Sequence, residues 1–113
     1  FVKDTCCGFI EIMKSDALYG SVANIGMNEE ISICDLANKI IDITGETIKI
    51  LTDNDRIRPA ESEVERLWCD NHKLLNNTNW SPEYNLTKGL REVYNWMQNP
   101  QFIKYYKSDL YNV

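Results

Sequence analysis

The chain has 113 residues, enough for one domain with its own core. Hydrophobic residues make up 43% and charged residues 26%, the balance of an ordinary globular domain and not of a collagen, a disordered tail or a disulfide miniprotein. Seventeen acidic against twelve basic residues give a net charge of -5, which argues against a broad nucleic-acid face but leaves room for a local basic pocket that holds one phosphorylated small molecule.

The chain opens on Phe1 with no initiator Met and no signal-peptide pattern, so it reads as the continuation of a longer protein. Phe1 to Lys3 reads as the end of a strand. Asp4 or Thr5 can then cap a helix through its side-chain oxygen, with Cys6, Phe9, Ile10 and Met13 at helical spacing up to about Ser15. Tyr19-Gly20 makes a turn, and Ser21 to Ile25 suits a short buried strand. Ser32-x-x-Asp35 is a capping box, followed by Ile33, Leu36, Ala37, Ile40 and Ile41 at the period of a helix that Gly45 can end. Thr47 to Leu51 alternates and is β-branched, which predicts a strand.

Thr52 to Glu63 holds two arginines, four carboxylates and a proline, with little to bury, and reads as an irregular surface loop. Val64 to Trp68 alternates again as a strand. Asp70 can cap a short helix through Leu75, and Trp80-Ser81-Pro82 is an extended connection. Thr87 is the expected cap of the last main helix, with Leu90, Val93, Tyr94 and Met97 on one face until Pro100 breaks it. Gln101 to Lys107 can add a turn or two. Helices alternating with short strands make a single small α+β or α/β layer domain over residues 1–113. No apolar run is long enough to span a bilayer.

Gly8, Gly20, Gly26, Gly45 and Gly89 are never closer than six apart, so neither a dinucleotide fingerprint nor a Walker loop is present. Cys6, Cys7, Cys34 and Cys69 read as reduced, buried, small hydrophobes. Cys69-x-x-His72 is half of a metal site without a second half, and no metal is expected. The strongest candidate for chemistry is the loop Arg56-Ile57-Arg58-Pro59-Ala60-Glu61-Ser62-Glu63. Guanidinium forks pair bidentately with phosphate oxygens, and a carboxylate nearby can accept from ribose hydroxyls. Composition alone fits equally a solvated loop whose exposed ion pairs contribute little. Tyr84-x-x-x-Lys88 matches a catalytic pair by letter only, because a cap at Thr87 leaves Tyr84 outside the helix.

Five segments in order resemble the C-terminal part of the NAD-dependent sugar-nucleotide epimerases and dehydratases, the extended short-chain dehydrogenase/reductase family. They are Phe1-Val2-Lys3-Asp4-Thr5, Ala23-Asn24-Ile25-Gly26, Ile31-Ser32-Ile33-Cys34-Asp35-Leu36, Arg58-Pro59-Ala60-Glu61, and Trp80-x-Pro82 with Leu86-x-x-Gly89-Leu90 and Trp96. Arg56-Ile57-Arg58-Pro59 and Ser62-Glu63-Val64-Glu65-Arg66-Leu67-Trp68-Cys69-Asp70-Asn71 are most similar to the 4,6-dehydratases of UDP-N-acetylglucosamine.

The resemblance implies a cytoplasmic enzyme whose Rossmann half is missing from this chain. That half would carry NAD or NADP and the catalytic residues, so neither a cofactor nor a catalytic residue is expected here. The chain would supply the nucleotide-sugar site. Arg58 matches the diphosphate contact. Glu61 matches the ribose contact counted from Arg58-Pro59, Glu63 matches it counted back from Asp70, and Arg56 is a second phosphate candidate. Oxidation at sugar C4 would lead to loss of water across C5/C6 in a dehydratase, or to inversion at C4 in an epimerase. The implied partners are the nucleotide sugar and the missing Rossmann domain, with self-association of the fragment and neither nucleic acid nor membrane. The alternative from a different class is a stand-alone protein-interaction module that uses the aromatic C-terminus.

Overall fold

The structure is a computed structural model that describes residues 1–51, 64–104 and 106. Among these residues five α-helices run in chain order: α1 (Val2–Met13), α2 (Ile33–Thr44), α3 (His72–Asn77), α4 (Leu86–Met97) and α5 (Pro100–Ile103). A 3-10 turn, Asp16–Leu18, comes after α1. No helix among the described residues is long and apolar enough to cross a membrane.

Helix α1 begins at Val2, with Phe1 at its N-cap, so the strand expected at Phe1 to Lys3 is replaced by the first turn of a helix. That first turn carries Asp4. It does not cap α1 but turns into the protein, where it is only 6% exposed. Its two oxygens accept the backbone N–H groups of Glu83 (3.0 Å) and Tyr84 (3.2 Å). The Phe1 ring lies against Tyr84, with centroids 4.6 Å apart. Trp80 completes the junction: its indole N–H donates to the Asp4 carbonyl at 2.9 Å, and its ring is buried.

The core is small. Leu18, Leu74 and Trp80 are buried, with Ile12, Ala23 and Ile25 packed against them. Gly8 brings α1 onto the 21–25 segment, since a Cβ there would stand 2.9 Å from the Ile25 side chain. Gly26 meets Cys69 as closely, with 2.8 Å between a Cβ at 26 and Sγ. Segments 23–27 and 69–71 are tied by side chains. The Asn24 amide donates to the Asp70 carbonyl (3.2 Å), and the buried Asn71 amide donates to that of Gly26 (2.8 Å).

The strands expected at 21–25, 47–51 and 64–68 are not strands among the described residues. A β-branched, alternating sequence fits a pleated surface, but a strand exists only where a neighbour completes the hydrogen-bond ladder. Here asparagine amides tie segments 23–27 and 69–71 together instead.

Helix α2 obeys its sequence signals. The Ser32 hydroxyl accepts the Asp35 N–H at 3.0 Å and donates to its carboxylate at 2.6 Å. Gly45 ends the helix at φ 71°, a conformation that a side chain would strain. The caps of α4 and α3 differ from expectation, and that of α5 has no forerunner in the sequence reading. Asn85, not Thr87, caps α4 by accepting the Lys88 N–H at 2.9 Å. Asn71 occupies the N-cap position of α3, while Asp70 Oδ1 accepts the His72 N–H at 3.0 Å, and the helix runs to Asn77. Asn99 caps α5, which starts at Pro100 because proline suits the first helical turn. Trp96 stacks on Phe102 at 4.7 Å and meets Tyr106 edge-on at 6.1 Å, so these aromatics join α4 to the residues after it.

The cysteines are not buried as expected. Cys6, Cys7 and Cys34 are exposed and Cys69 is half-buried. On α1 the exposure extends to Val2, Phe9, Ile10 and Met13, and on α2 to Ile33 and Ile40. Among the described residues, large apolar side chains on the surface thus outnumber their buried counterparts, far from the usual distribution for a self-contained domain.

Replacing Asp4 with Ala should strand two backbone donors and destabilise the fold by about 1–3 kcal/mol. Asp4→Asn keeps one acceptor oxygen and should lose less. Leu74→Ala should lose roughly 2–5 kcal/mol, as for other fully buried leucines. Urea denaturation of the three variants tests the order. An Asp4→Ala protein as stable as wild type would refute this account of the junction.

Candidate functional site

Arg56, Arg58, Glu61 and Glu63 all lie outside the residues that the structure describes. It does describe the segment into which they lead. Arg66 and Trp68 both reach the stretch from Asn28 to Glu30. Arg66 forms a bidentate pair with Glu30: its Nε donates to Oε2 at 2.9 Å and its Nη2 to Oε1. The Trp68 indole N–H donates to the side-chain oxygen of Asn28. The Arg66 guanidinium also stands 6.0 Å from the Trp68 ring centroid, within cation–π range. The Arg66 hydrogen bonds hold the Glu30 carboxyl below the usual carboxylate range, and those same bonds raise the Arg66 pKa.

Two cavities flank this anchor. One, of about 720 Å³, opens between α1 and the 23–29 and 67–69 segments, with Phe9, Ile12, Ile25, Leu67 and Trp68 among its walls. The other, of about 580 Å³, lies between α2 and α4 and includes Phe1, Met27, Lys39 and Leu90. The first is lined in part by Leu67, Trp68 and Cys69, from the segment after Val64. Its walls are largely apolar, so it can hold a ring or a packed side chain but offers no constellation for proton transfer.

Tyr84 precedes the Asn85 cap, so it stands outside α4, as the sequence implies for a different cap residue. The Lys88 ammonium lies over the Tyr84 ring, 4.1 Å from its centroid, and donates to the Glu83 carbonyl. The phenol oxygen accepts from Lys3 at 3.3 Å. Tyr84 and Lys88 therefore share no helical face. Near Cys69, His72 Nδ1 lies 2.7 Å from Asp70 Oδ1. Among the described residues no group of three or more His, Cys, Asp and Glu is placed to hold a metal ion. The sequence holds no Gly-rich phosphate loop.

Nothing in the sequence singles out Glu30, Asn28 or Arg66. The sequence alternates from Val64 to Trp68, but the partners of Arg66 and Trp68 lie 36 and 40 positions away, where no local pattern reaches.

Accepting the His72 backbone N–H, and then pairing with the ring, lowers the Asp70 pKa. Glu30 is lowered by Arg66. Both carboxylates are ionised when they form these bonds, so the local order they support is present above the ordinary carboxylate range. It is lost as pH falls through their lowered pKa values. A carbon-13 NMR titration should show the Glu30 and Asp70 side-chain carboxyl resonances moving only below the ordinary carboxylate range. Movement complete at or above the ordinary carboxylate pKa would contradict both assignments.

No family model matches the chain, and no solved structure matches it. Among curated proteins it is similar to one from Methanocaldococcus jannaschii named "Putative UDP-glucose 4-epimerase", with 33% identity over 78 residues. The match covers 69% of this chain and 24% of the relative, so the chain spans about a quarter of that protein's length. The likeness therefore points to the sugar-nucleotide epimerases and dehydratases, the same broad family that the ordered motifs of this sequence resemble, and to nothing finer.

Proposed function

We propose that this chain is the nucleotide-sugar-binding part of an NAD(P)-dependent enzyme acting at C4 of a hexose carried on a nucleotide diphosphate, with an α/β architecture completed by a Rossmann domain. The observation that carries the reading is the likeness to a protein named as a UDP-glucose 4-epimerase. The five ordered motifs agree with it. An epimerase and a 4,6-dehydratase both begin by oxidising C4, and the relative's name fits the first while the Arg56 to Pro59 and Ser62 to Asn71 strings favour the second.

The chain's own residues bind and orient the substrate. Arg58, with Arg56 as the second candidate, supplies a planar fork for the diphosphate, and Glu61 or Glu63 accepts from the ribose hydroxyls. Hydride transfer is the chemistry that NAD(P), bound by the Rossmann domain, supplies. The apolar face of α1, with Val2, Phe9, Ile10 and Met13 exposed, supports a second domain packing there.

In the intact enzyme, UDP-glucose or UDP-N-acetylglucosamine incubated with NAD+ should yield a C4 epimer or a 4-keto-6-deoxy sugar by NMR, whereas this chain alone should yield neither. Turnover by the chain alone would overturn the reading. Arg58→Ala in the intact enzyme removes a charge-assisted contact worth roughly 1.5–3 kcal/mol, so affinity should fall on the order of 10- to 100-fold. Arg58→Lys should restore only part, since an ammonium lacks the fork. Unchanged affinity in Arg58→Ala would transfer the phosphate role to Arg56.

A further inference from the structure

We infer that the outer face of α1 seats an amphipathic α-helix from the part of the intact enzyme that this chain does not include, with Cys6 in the seam and Cys7 outside it. The inference rests on the nucleotide-sugar reading above, in which a second domain packs on α1. It deepens that reading by naming the element that packs there and the residues it touches.

On the α-helical repeat, Val2, Cys6, Phe9, Ile10 and Met13 fall within about 100° of arc on α1, and no other residue of the helix shares that arc. Cys6 and the four large apolar side chains are all exposed, Met13 most at 87%. The opposite side is already packed. Asp4 and Gly8 are buried there, Gly8 meets Ile25, and Ile12 lies against the core. A helix apolar on two sides belongs between two layers, and the described residues supply only one of them. The spacing of the outer residues selects a helix as the other. Steps of four, three and four, from Val2 through Cys6 and Phe9 to Met13, are those of a helix–helix seam. Val2, Cys6 and Ile10 form one ridge along the helix and Phe9 and Met13 a second, and the groove between them takes a ridge of a neighbouring helix. Cys6 is the smallest side chain of the first ridge, set between Val2 and Ile10, so it leaves a notch for a partner's side chain. Cys7 stands about 60° past the edge of the arc, so a helix laid along the seam leaves its thiol in water. The remainder of the enzyme has room for such a helix, since the chain spans only about a quarter of its relative's length.

The two adjacent thiols make the test. In the intact enzyme, iodoacetamide labelling read by mass spectrometry gives a rate for each cysteine, referred to the rate of the same cysteine in urea. Cys7 should react close to its unfolded rate and Cys6 at least about tenfold more slowly, as for a group reached only when the domains open. Met13→Glu puts a charge into the seam and, because Met13 lies outside this chain's own core, should bring Cys6 up to the Cys7 rate. Half-buried Cys69, packed on Gly26, should keep its wild-type rate in that variant and so shows that the fold is intact. Cys6 reacting as fast as Cys7 in wild type would overturn the inference and leave the nucleotide-sugar reading, which product formation tests, untouched. Equal protection of both thiols would mean a covering broader than one helix and overturn it as well. Protection of Cys6 that disappears on dilution would make the occupant a second copy, and protection that survives Met13→Glu would place the contact elsewhere; either overturns it. An intact protein that shields Cys6 alone but converts neither UDP-glucose nor UDP-N-acetylglucosamine would refute the nucleotide-sugar reading and leave the helix contact standing.

Discussion

The fold hangs on one buried carboxylate. Asp4 sits in the first turn of α1, yet it serves the far end of the described chain, accepting two backbone N–H groups from Glu83 and Tyr84. Removed from water, a carboxylate is tolerated only when its oxygens are satisfied, and here each oxygen has a donor. The bond from Trp80 to the Asp4 carbonyl adds a third tie at the same place. Because Trp80 also belongs to the buried apolar cluster with Leu18 and Leu74, the polar junction and the apolar core are one structure. The Asn85 cap and α4, which come next in the chain, are aimed by this junction.

The second organising feature is the use of asparagine in place of strand pairing. Asn24, Asn28 and Asn71 each bridge segments distant in sequence, and Asn85 and Asn99 open helices. An amide carries both donor and acceptor on a short stem, which suits contacts between backbones lacking a common ladder. By composition alone, asparagine looks like surface filler. Its positions show that it supplies much of the long-range polar connectivity around the candidate site.

Local signals are legible in the sequence where local physics decides. The Ser32–Asp35 capping box, the Gly45 terminus and Pro100 at the start of α5 are set by a few neighbouring atoms. The misreadings share a cause. Asp4 reads as a cap because Asp is a good cap, but its partners are 79 and 80 residues away. Thr87 and Asn85 can both cap, and nothing local shows that the Phe1–Tyr84 contact fixes the chain just before Asn85. The cysteines read as core because cysteine usually is core, yet α1 turns Cys6 and Cys7 outward. For the candidate site, the motif Arg58-Pro59-Ala60-Glu61 is readable only through resemblance, and the four candidate residues of that loop lie outside the described part. The anchor beyond them, Arg66 on Glu30, depends on a pairing across 36 positions that no window of sequence contains.

The distance between Asp4 and its partners also bears on how the chain is made. A ribosome adds roughly 5–20 residues per second, so about 4–16 seconds separate the synthesis of Asp4 from that of Tyr84. During that interval the Asp4 carboxylate lacks both of its donors and the Asp4 carbonyl lacks the Trp80 indole. The N-terminal helix is therefore the earliest part of this chain to be made and among the last to be secured.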